Sequence, residues 1–557
     1  MAYVTNNGAV VTTSDAVDTN NVVYLGGIAI RKSDGAMHVT SGLTTAQIAA
    51  ITPIVPTGTA DSTAINAAIV AANAAGGGVV TLAPGTFDIS TAVLMLSNVW
   101  LRGSGKGVTT LRLANSTAYS GSSNVIHAAA SSSDITDFII SDLSINGNRS
   151  NQTLSSTQDN AYNGICVRGS SSGFFSKRFT IRDVHAYACG YHGVAIYDGC
   201  QGFSVRGLYG SGNGFRSLHI HANDAYGDSD YSVTNCQSTG NGVDTTTALQ
   251  TGQLSGIFVA LANTTRGTVS GCNVWDEPGL GFELTGYSGS DTTAAEHVAF
   301  IGNTIYNCGQ GFKLSGGIKN VTLQGNTIRN INTTAKGAGA TGIGIAFASA
   351  GTLGGDGISL QGNIITDCSS WGMSADGCTN KWKNIAAAGN IVKGCGTTTG
   401  SSSGGVRIYD WQMSSFSNNV IYGNNAGAGA PRQLYITNCQ DVIVNGNSID
   451  SGTANYPAVD CSSSASNIVF TSNYINRNSG SGTAVAWAGV NSCIANNTLA
   501  GTNTINNTGT GNYGVAFETT TAAAAATATL LNSPVAGNPT AWVNVMVDGV
   551  SKVIPAW

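Results

Sequence analysis

Val321-Thr-Leu-Gln-Gly-Asn326-Thr-Ile328 is one copy of a short segment that returns along this chain. Further copies read FIGNTI around Asn303, ISLQGNII around Asn363, IAAAGNIV around Asn390 and SFSNNVI around Asn419. VIVNGNSI carries Asn447, VFTSNYI carries Asn473 and CIANNTL carries Asn497. Earlier copies place an apolar residue or a cysteine at the same point: Leu143, Val184, Leu208, Cys236 and Cys272. The intervals from 143 to 497 run between 23 and 41 residues and average about 29.5. That period suits one coil of a right-handed parallel β-helix, an all-β three-sheet solenoid with three short strands and three turns per coil. Coils stacked about 4.8 Å apart bring like residues into register, so an inward asparagine finds its partner in the asparagine of the next coil. A buried amide is satisfied there only if its neighbours repeat it, which gives the period a physical cause.

A second column supports the register. Five residues after the marker stand Asn148, Cys189, Asn213, Asn241, Cys308, Cys368, Cys395 and Asn424, with Glu277 as the one carboxylate. The repeat begins after Asp61–Gly76, which reads as a helix: Asp61 or Ser62 can cap it, Ile65, Ala68, Ile69 and Ala72 share a face, and Gly76 ends it. Such a helix would plug the open end of the first coil. Residues 1–58 show no coil repeat and read as a separate small β module. The coil pattern is expected over 59–510. Residues 511–557 form a C-terminal β segment whose alternation around Asp548-Gly549 signals a hairpin.

Composition narrows the class. Of 557 residues, 74 are glycine, 42% are hydrophobic and 10% are charged, with net charge −5. No basic face indicates a nucleic-acid partner, and no stretch of apolar residues is long enough for membrane insertion. The first residues lack the pattern of a secretory signal, so folding in a cytoplasm is expected. Twelve cysteines without a CxxC pair read as buried free thiols, and no metal site or cofactor is expected.

The stretch 61–113 resembles the pectate-lyase-like superfamily as it stands at the start of phage tailspike β-helices. The resemblance rests on Asp61, Ala64-Ile65, Ala68-Ile69, Gly76-Gly-Gly78, Val80-Thr-Leu-Ala-Pro-Gly-Thr-Phe87, Leu101 and Gly103-Ser-Gly105. The closing segment 539–557 is also similar to tailspike C-termini. The resemblance implies a homotrimer on a virion tail, held by tail or baseplate adaptor proteins and made in the host cytoplasm. Such a protein binds, and usually depolymerises, a bacterial surface polysaccharide: capsule, O-antigen or exopolysaccharide. The chain departs from the catalytic signatures of the superfamily. The polygalacturonase, pectate lyase and alginate epimerase motifs are all absent, and Tyr191-His192-Gly193 is only a superficial echo of one of them. Site residues must therefore be argued locally.

The strand after the second column alternates apolar and other residues. Its outward positions include Ala195, His219, Phe258, Glu283, Lys313, Ser374, Arg407 and Tyr435, followed two residues on by Tyr197, His221, Thr285, Asp376, Tyr409 and Thr437. An ordinary solvated sheet face would look similar, but this one gathers charge and aromatics in a chain poor in charge. His219, His221, Lys313, Arg407, Tyr409, Tyr197 and Phe258 are the expected substrate-binding residues. Glycoside hydrolysis needs two carboxyls, and Glu283 with Glu277 or Asp276 is the favoured pair, with Asp224 as a further candidate. The same face allows β-elimination from a uronate polymer, with a cation to neutralise the carboxylate and a histidine or tyrosine to move the proton. An adhesin that binds glycan without cutting it is the third reading.

Overall fold

The computed structural model describes residues 53–519 apart from 59–60, 116–123, 153–161, 171–172, 223–226, 243–254, 260–263, 287–294, 333–340, 349–353, 376–377, 379, 398–402, 425–431, 451–455, 478–481 and 501–502, with short strands near both ends. One coil shows the plan. Strands Thr265–Ser270, Asn273–Trp275 and Leu280–Thr285 follow one another round the axis. Each pairs in parallel with its counterpart one coil later, in Ala295–Ile301, Thr304–Tyr306 and Gln310–Ser315. The first two strands of successive coils merge into one 32-stranded sheet bent along its length, and the third strands stack into a separate 15-stranded sheet. The expected right-handed parallel β-helix is the observed fold.

The corner between the first two strands takes two residues. The first adopts left-handed backbone, at φ 60° in Gly302, 62° in Gly325, 60° in Gly362 and 66° in Gly389. Glycine enters that region without the Cβ penalty, and Asn418 and Asn496 stand in for it at φ 55° and 53°. This turn sends the second residue inward. Asn326 donates its backbone N–H and its Nδ2 to Asn363 Oδ1 at 3.0 and 2.9 Å, and Nδ2 also reaches Phe300 O at 3.0 Å. Asn363 repeats the pattern onto Asn390, and Asn390 onto Asn419. The ladder continues through Asn447 and Asn473 to Asn497, every member at most 1% exposed. Cys272 joins its N-terminal end by donating N–H to Asn303 Oδ1 at 3.0 Å. Above it the column becomes apolar, and Leu143 pairs directly with Val184.

Inside the solenoid, aromatic rings stack coil on coil as Phe138–Phe179–Phe203, each step 4.9 Å between centroids. The twelve cysteines are free thiols. The helix Asp61–Ala74 closes the first coil with Ile65, Ile69 and Ala72 buried. Asp61 reaches back to Thr57 and takes the Asp88 N–H at 2.9 Å. Asn66 acts as a surrogate strand for the sheet edge, giving Nδ2 to Ala92 O at 3.0 Å and accepting Leu94 N–H at 2.8 Å. At the other end, parallel pairing of Cys493–Ala500 carries on to Tyr513–Thr519, a few residues past the expected limit of 510. Ala541–Val547 and Val550–Ala556 pair as the antiparallel hairpin read from the sequence, and Val22–Leu25, Ile28–Arg31 and Met37–Val39 form an antiparallel meander.

Chain connectivity singles out one face. The inward-asparagine corner stays at two residues in each coil of the ladder, whereas the long connections, among them 240–254, 286–294, 332–344 and 394–403, all lead into or out of the 15-stranded sheet.

Replacing Asn363 by alanine strands the donors of Asn326 and removes two bonds of its own, so it is expected to lower stability by about 2–4 kcal/mol. Thr366→Ala, on an outward position of the same coil, should cost less than about 0.5 kcal/mol. Denaturant unfolding of both variants checks this, and equal midpoints would remove the ladder from its role.

Candidate functional site

The outward row of the 15-stranded sheet has the register read from the sequence. Ala195 pairs with His219, His219 with Phe258, Phe258 with Glu283 and Glu283 with Lys313. Ser374, Arg407 and Tyr435 continue it. One coil was passed over: Ala346 lies between Lys313 and Ser374, because the insertion at 332–344 displaces its strand from the expected spacing. Tyr197 and His221 pair in the second row, as do Tyr409 and Thr437. Outward positions here are unusually covered: Tyr197 is 3% exposed, His219 6%, Glu283 2% and Ser374 2%.

A cluster forms where the coils of Ala195 and His219 meet. His192 and Arg216 stand at the entry to adjacent strands. His219 Nδ1 lies 3.0 Å from His192 Nε2, and Arg216 Nη1 lies 3.4 Å from His219 Nε2. A guanidinium can only donate, so His219 Nε2 keeps its lone pair. The neutral ring then carries its proton on Nδ1 and donates it to His192. Tyr197 meets His219 edge-on at 5.5 Å and His221 at 6.1 Å between centroids. Phe215 supports Arg216, whose guanidinium carbon sits 3.7 Å from the ring centroid. Arg168, next to Tyr197 in the register, approaches Asp198 at 3.6 Å. Burial holds the His192 and His219 imidazoles well below their ordinary 6.5, and the Arg216 charge lowers them further. Both rings are neutral at pH 7.

Two coils on, roughly 10 Å along the axis, Glu283 Oε1 accepts from Lys313 Nζ at 2.8 Å and from Thr285 Oγ1 at 3.3 Å. Its buried Oε2 has no partner among the described residues. Arg407 packs over the Tyr409 ring at 4.4 Å.

The carboxylates expected to work with Glu283 stand elsewhere. Glu277 is fully buried at the corner that enters the strand, where it accepts from Ser238 Oγ at 2.7 Å and from Asn241 N–H and Nδ2 at 3.0 and 2.7 Å. It continues the second amide column, in which Asn213 binds Asn241 in the same way. Asp276 occupies an exposed left-handed corner, φ 55°, and bonds the Asn307 amide one coil on. Neither shares the outward row with Glu283. Asp224 and the side chain of Phe258 lie outside the described residues. The residues that sequence reasoning missed are His192, Arg216, Arg168 and Asp198. The available signal was that Tyr191-His192-Gly193 and Phe215-Arg216-Ser217 immediately precede strands of this face.

No protein-family profile matches the chain. Part of it is 31% identical, over 189 residues, to the mannuronan C5-epimerase AlgE6 of Azotobacter vinelandii, covering 30% of this chain and 21% of that protein. The chain thus spans about a fifth of the length of that relative. Among solved structures it is similar to the pre-mature bacteriophage phi29 gene product 12, with a TM-score of 0.57, 15% identity, and 80% and 62% of the two chains covered. The N-terminal fragment of the same gene product gives a TM-score of 0.53, 13% identity, and 83% and 91% coverage. These likenesses establish the fold, a right-handed parallel β-helix.

Two neutral buried histidines set a pH dependence. Below pH 6.5 the unfolded chain takes up protons that folded His192 and His219 refuse. Stability therefore falls as pH drops from 7 to 5, by up to about 1.4 kcal/mol per pH unit for each ring. The double variant H192Q/H219Q should lose part of that slope in denaturant titrations at the two pH values, and a slope equal to that of the unaltered protein would contradict the assignment.

Proposed function

We propose that the chain binds an acidic polysaccharide along the covered face of the 15-stranded sheet and, at the His219 cluster, removes the proton α to a uronate carboxylate. The observation that carries this reading is His219 itself: neutral at pH 7, its Nε2 lone pair held beside a guanidinium. Proton abstraction α to a carboxylate needs an unprotonated base and a cation for the charge that develops on the carboxylate. His219 Nε2 takes the C5 proton, and the electron pair moves into the carboxylate, where Arg216 neutralises it. His192 orients His219 by accepting its Nδ1–H. If the C4–O bond then breaks, with Tyr197 protonating the departing oxygen, the result is elimination. If C5 is reprotonated from the opposite side, the result is epimerisation. The partial similarity to a mannuronan C5-epimerase supports chemistry at that carbon.

Hydrolysis by paired carboxyls is less well supported. It needs a second carboxyl roughly 5–9.5 Å from the first. Among the described residues of its row, the next outward carboxylate after Glu283 is Asp460, six coils or roughly 29 Å away, and Arg432 holds it at 2.5 Å. The setting we propose is a virion tail, with residues 1–58 attaching the chain to an adaptor and 511–557 joining three copies around a host-surface glycan. The sequence similarity of 61–113 and 539–557 to tailspikes supports that setting.

The test is incubation with a panel of polyuronates in D2O, following C5 deuteration by NMR, ultraviolet absorbance of unsaturated ends, and reducing ends. Deuterium at C5 alone means epimerisation, and absorbance with reducing ends means elimination. Reducing ends alone would overturn the proposal in favour of a hydrolase, and binding without any product would make the protein an adhesin. His219→Gln should lower kcat by about 10²–10⁴, and Glu283→Gln by far less.

A further inference from the structure

Among the described residues Arg407 makes no ion pair, whereas Lys313, Arg432 and Arg168 on the same face each lie near a carboxylate. Lys313 is neutralised by Glu283 at 2.8 Å, Arg432 by Asp460 at 2.5 Å, and Arg168 lies 3.6 Å from Asp198. The Arg407 Nε is buried without a hydrogen-bond partner among the described residues. Its guanidinium carbon lies 4.4 Å from the Tyr409 ring centroid, and in the next coil Tyr435 stands beside it, covered in turn by Arg432 at 4.1 Å. A half-buried cation with no ion pair among the described residues, stacked on Tyr409 and beside Tyr435, offers an anion a charge-assisted bond and a sugar ring a platform.

The position of this site matters as much as its chemistry. It lies six coils from His219 along the same outward row, roughly 29 Å. Between Lys313 and Arg407 the described residues of the row are Ala346 and Ser374, with Ala348 beside Ala346 in the second row. An extended polysaccharide advances by about one pyranose per coil spacing.

Resting on the reading of this face as a polyuronate groove, we propose that Arg407, Tyr409 and Tyr435 form a distal anchor. It grips an acidic sugar of the same polymer about six residues away from the one held at His219. The anchor makes the protein selective for long chains: a trisaccharide can occupy the His219 cluster without reaching Arg407, whereas a polymer spans both.

The full chain is compared with Arg407→Met and Tyr409→Ala, using an alginate polymer and an alginate trisaccharide as probes. Kd is measured by calorimetry, turnover is followed where it occurs, and thermal melting monitors folding. Expected is a fall of about tenfold in the preference for polymer over trisaccharide in each variant, with melting retained. A preference equal to that of the unaltered protein in both variants overturns the anchor, and so does an equal loss for the two probes. Polymer binding that depends on Arg407 without any turnover would uphold the anchor while sinking the proposed chemistry. Trisaccharide turnover with no effect of Arg407 on polymer would do the reverse. Failure of the unaltered protein to bind either probe overturns the anchor for this polymer class.

Discussion

The buried amide at the inward corner is the constraint on which the solenoid depends. Each asparagine from Asn303 to Asn473 offers donors that nothing apolar can satisfy and meets them with the carbonyl of the next amide. A strand displaced by one residue would turn that amide outward and bury a polar group without a partner. The ladder therefore fixes register for the whole coil, including the 15-stranded sheet, which carries none of its asparagines. The alignment of Glu283, Lys313 and Arg407 in one row is a consequence of hydrogen bonds made on the far side of the core.

Division of labour between corners follows. The asparagine corner admits two residues, because only left-handed backbone followed by an inward side chain closes it. The corners flanking the 15-stranded sheet carry no such requirement, and the long insertions gather there. Geometry that must repeat and chemistry that must vary are thus kept on different sides of one coil.

This division also explains what the sequence made legible. The period, the helix over 61–74 and the outward row could be read because each follows from a repeated physical demand. Ala346 escaped because an insertion broke the spacing that located its neighbours. His192 and Arg216 escaped because they precede their strands and belong to no column of the repeat. Glu277 shows how one position supports two readings. A lone carboxylate in a column of amides suggested chemistry, yet a carboxylate can replace an amide wherever the column asks only for acceptors, and Ser238 and Asn241 supply the donors. Asp276 follows the same logic on the outside, since aspartate tolerates the left-handed corner and accepts from the asparagine above it.

The amide ladder has a direction. Each asparagine gives its backbone N–H and its Nδ2 to the coil that follows it in sequence, while that coil returns a backbone N–H to the asparagine carbonyl, as Thr327 does to Asn303 at 2.8 Å. A completed coil thus displays, on its C-terminal rim alone, the template that the next coil needs. A ribosome delivers the chain in that same order, so the growing rod can wind at its newest end while the helix of 61–74 already seals the oldest. Growth and termination are written into opposite ends of one polar thread, much as a filament with a blunt and a growing tip.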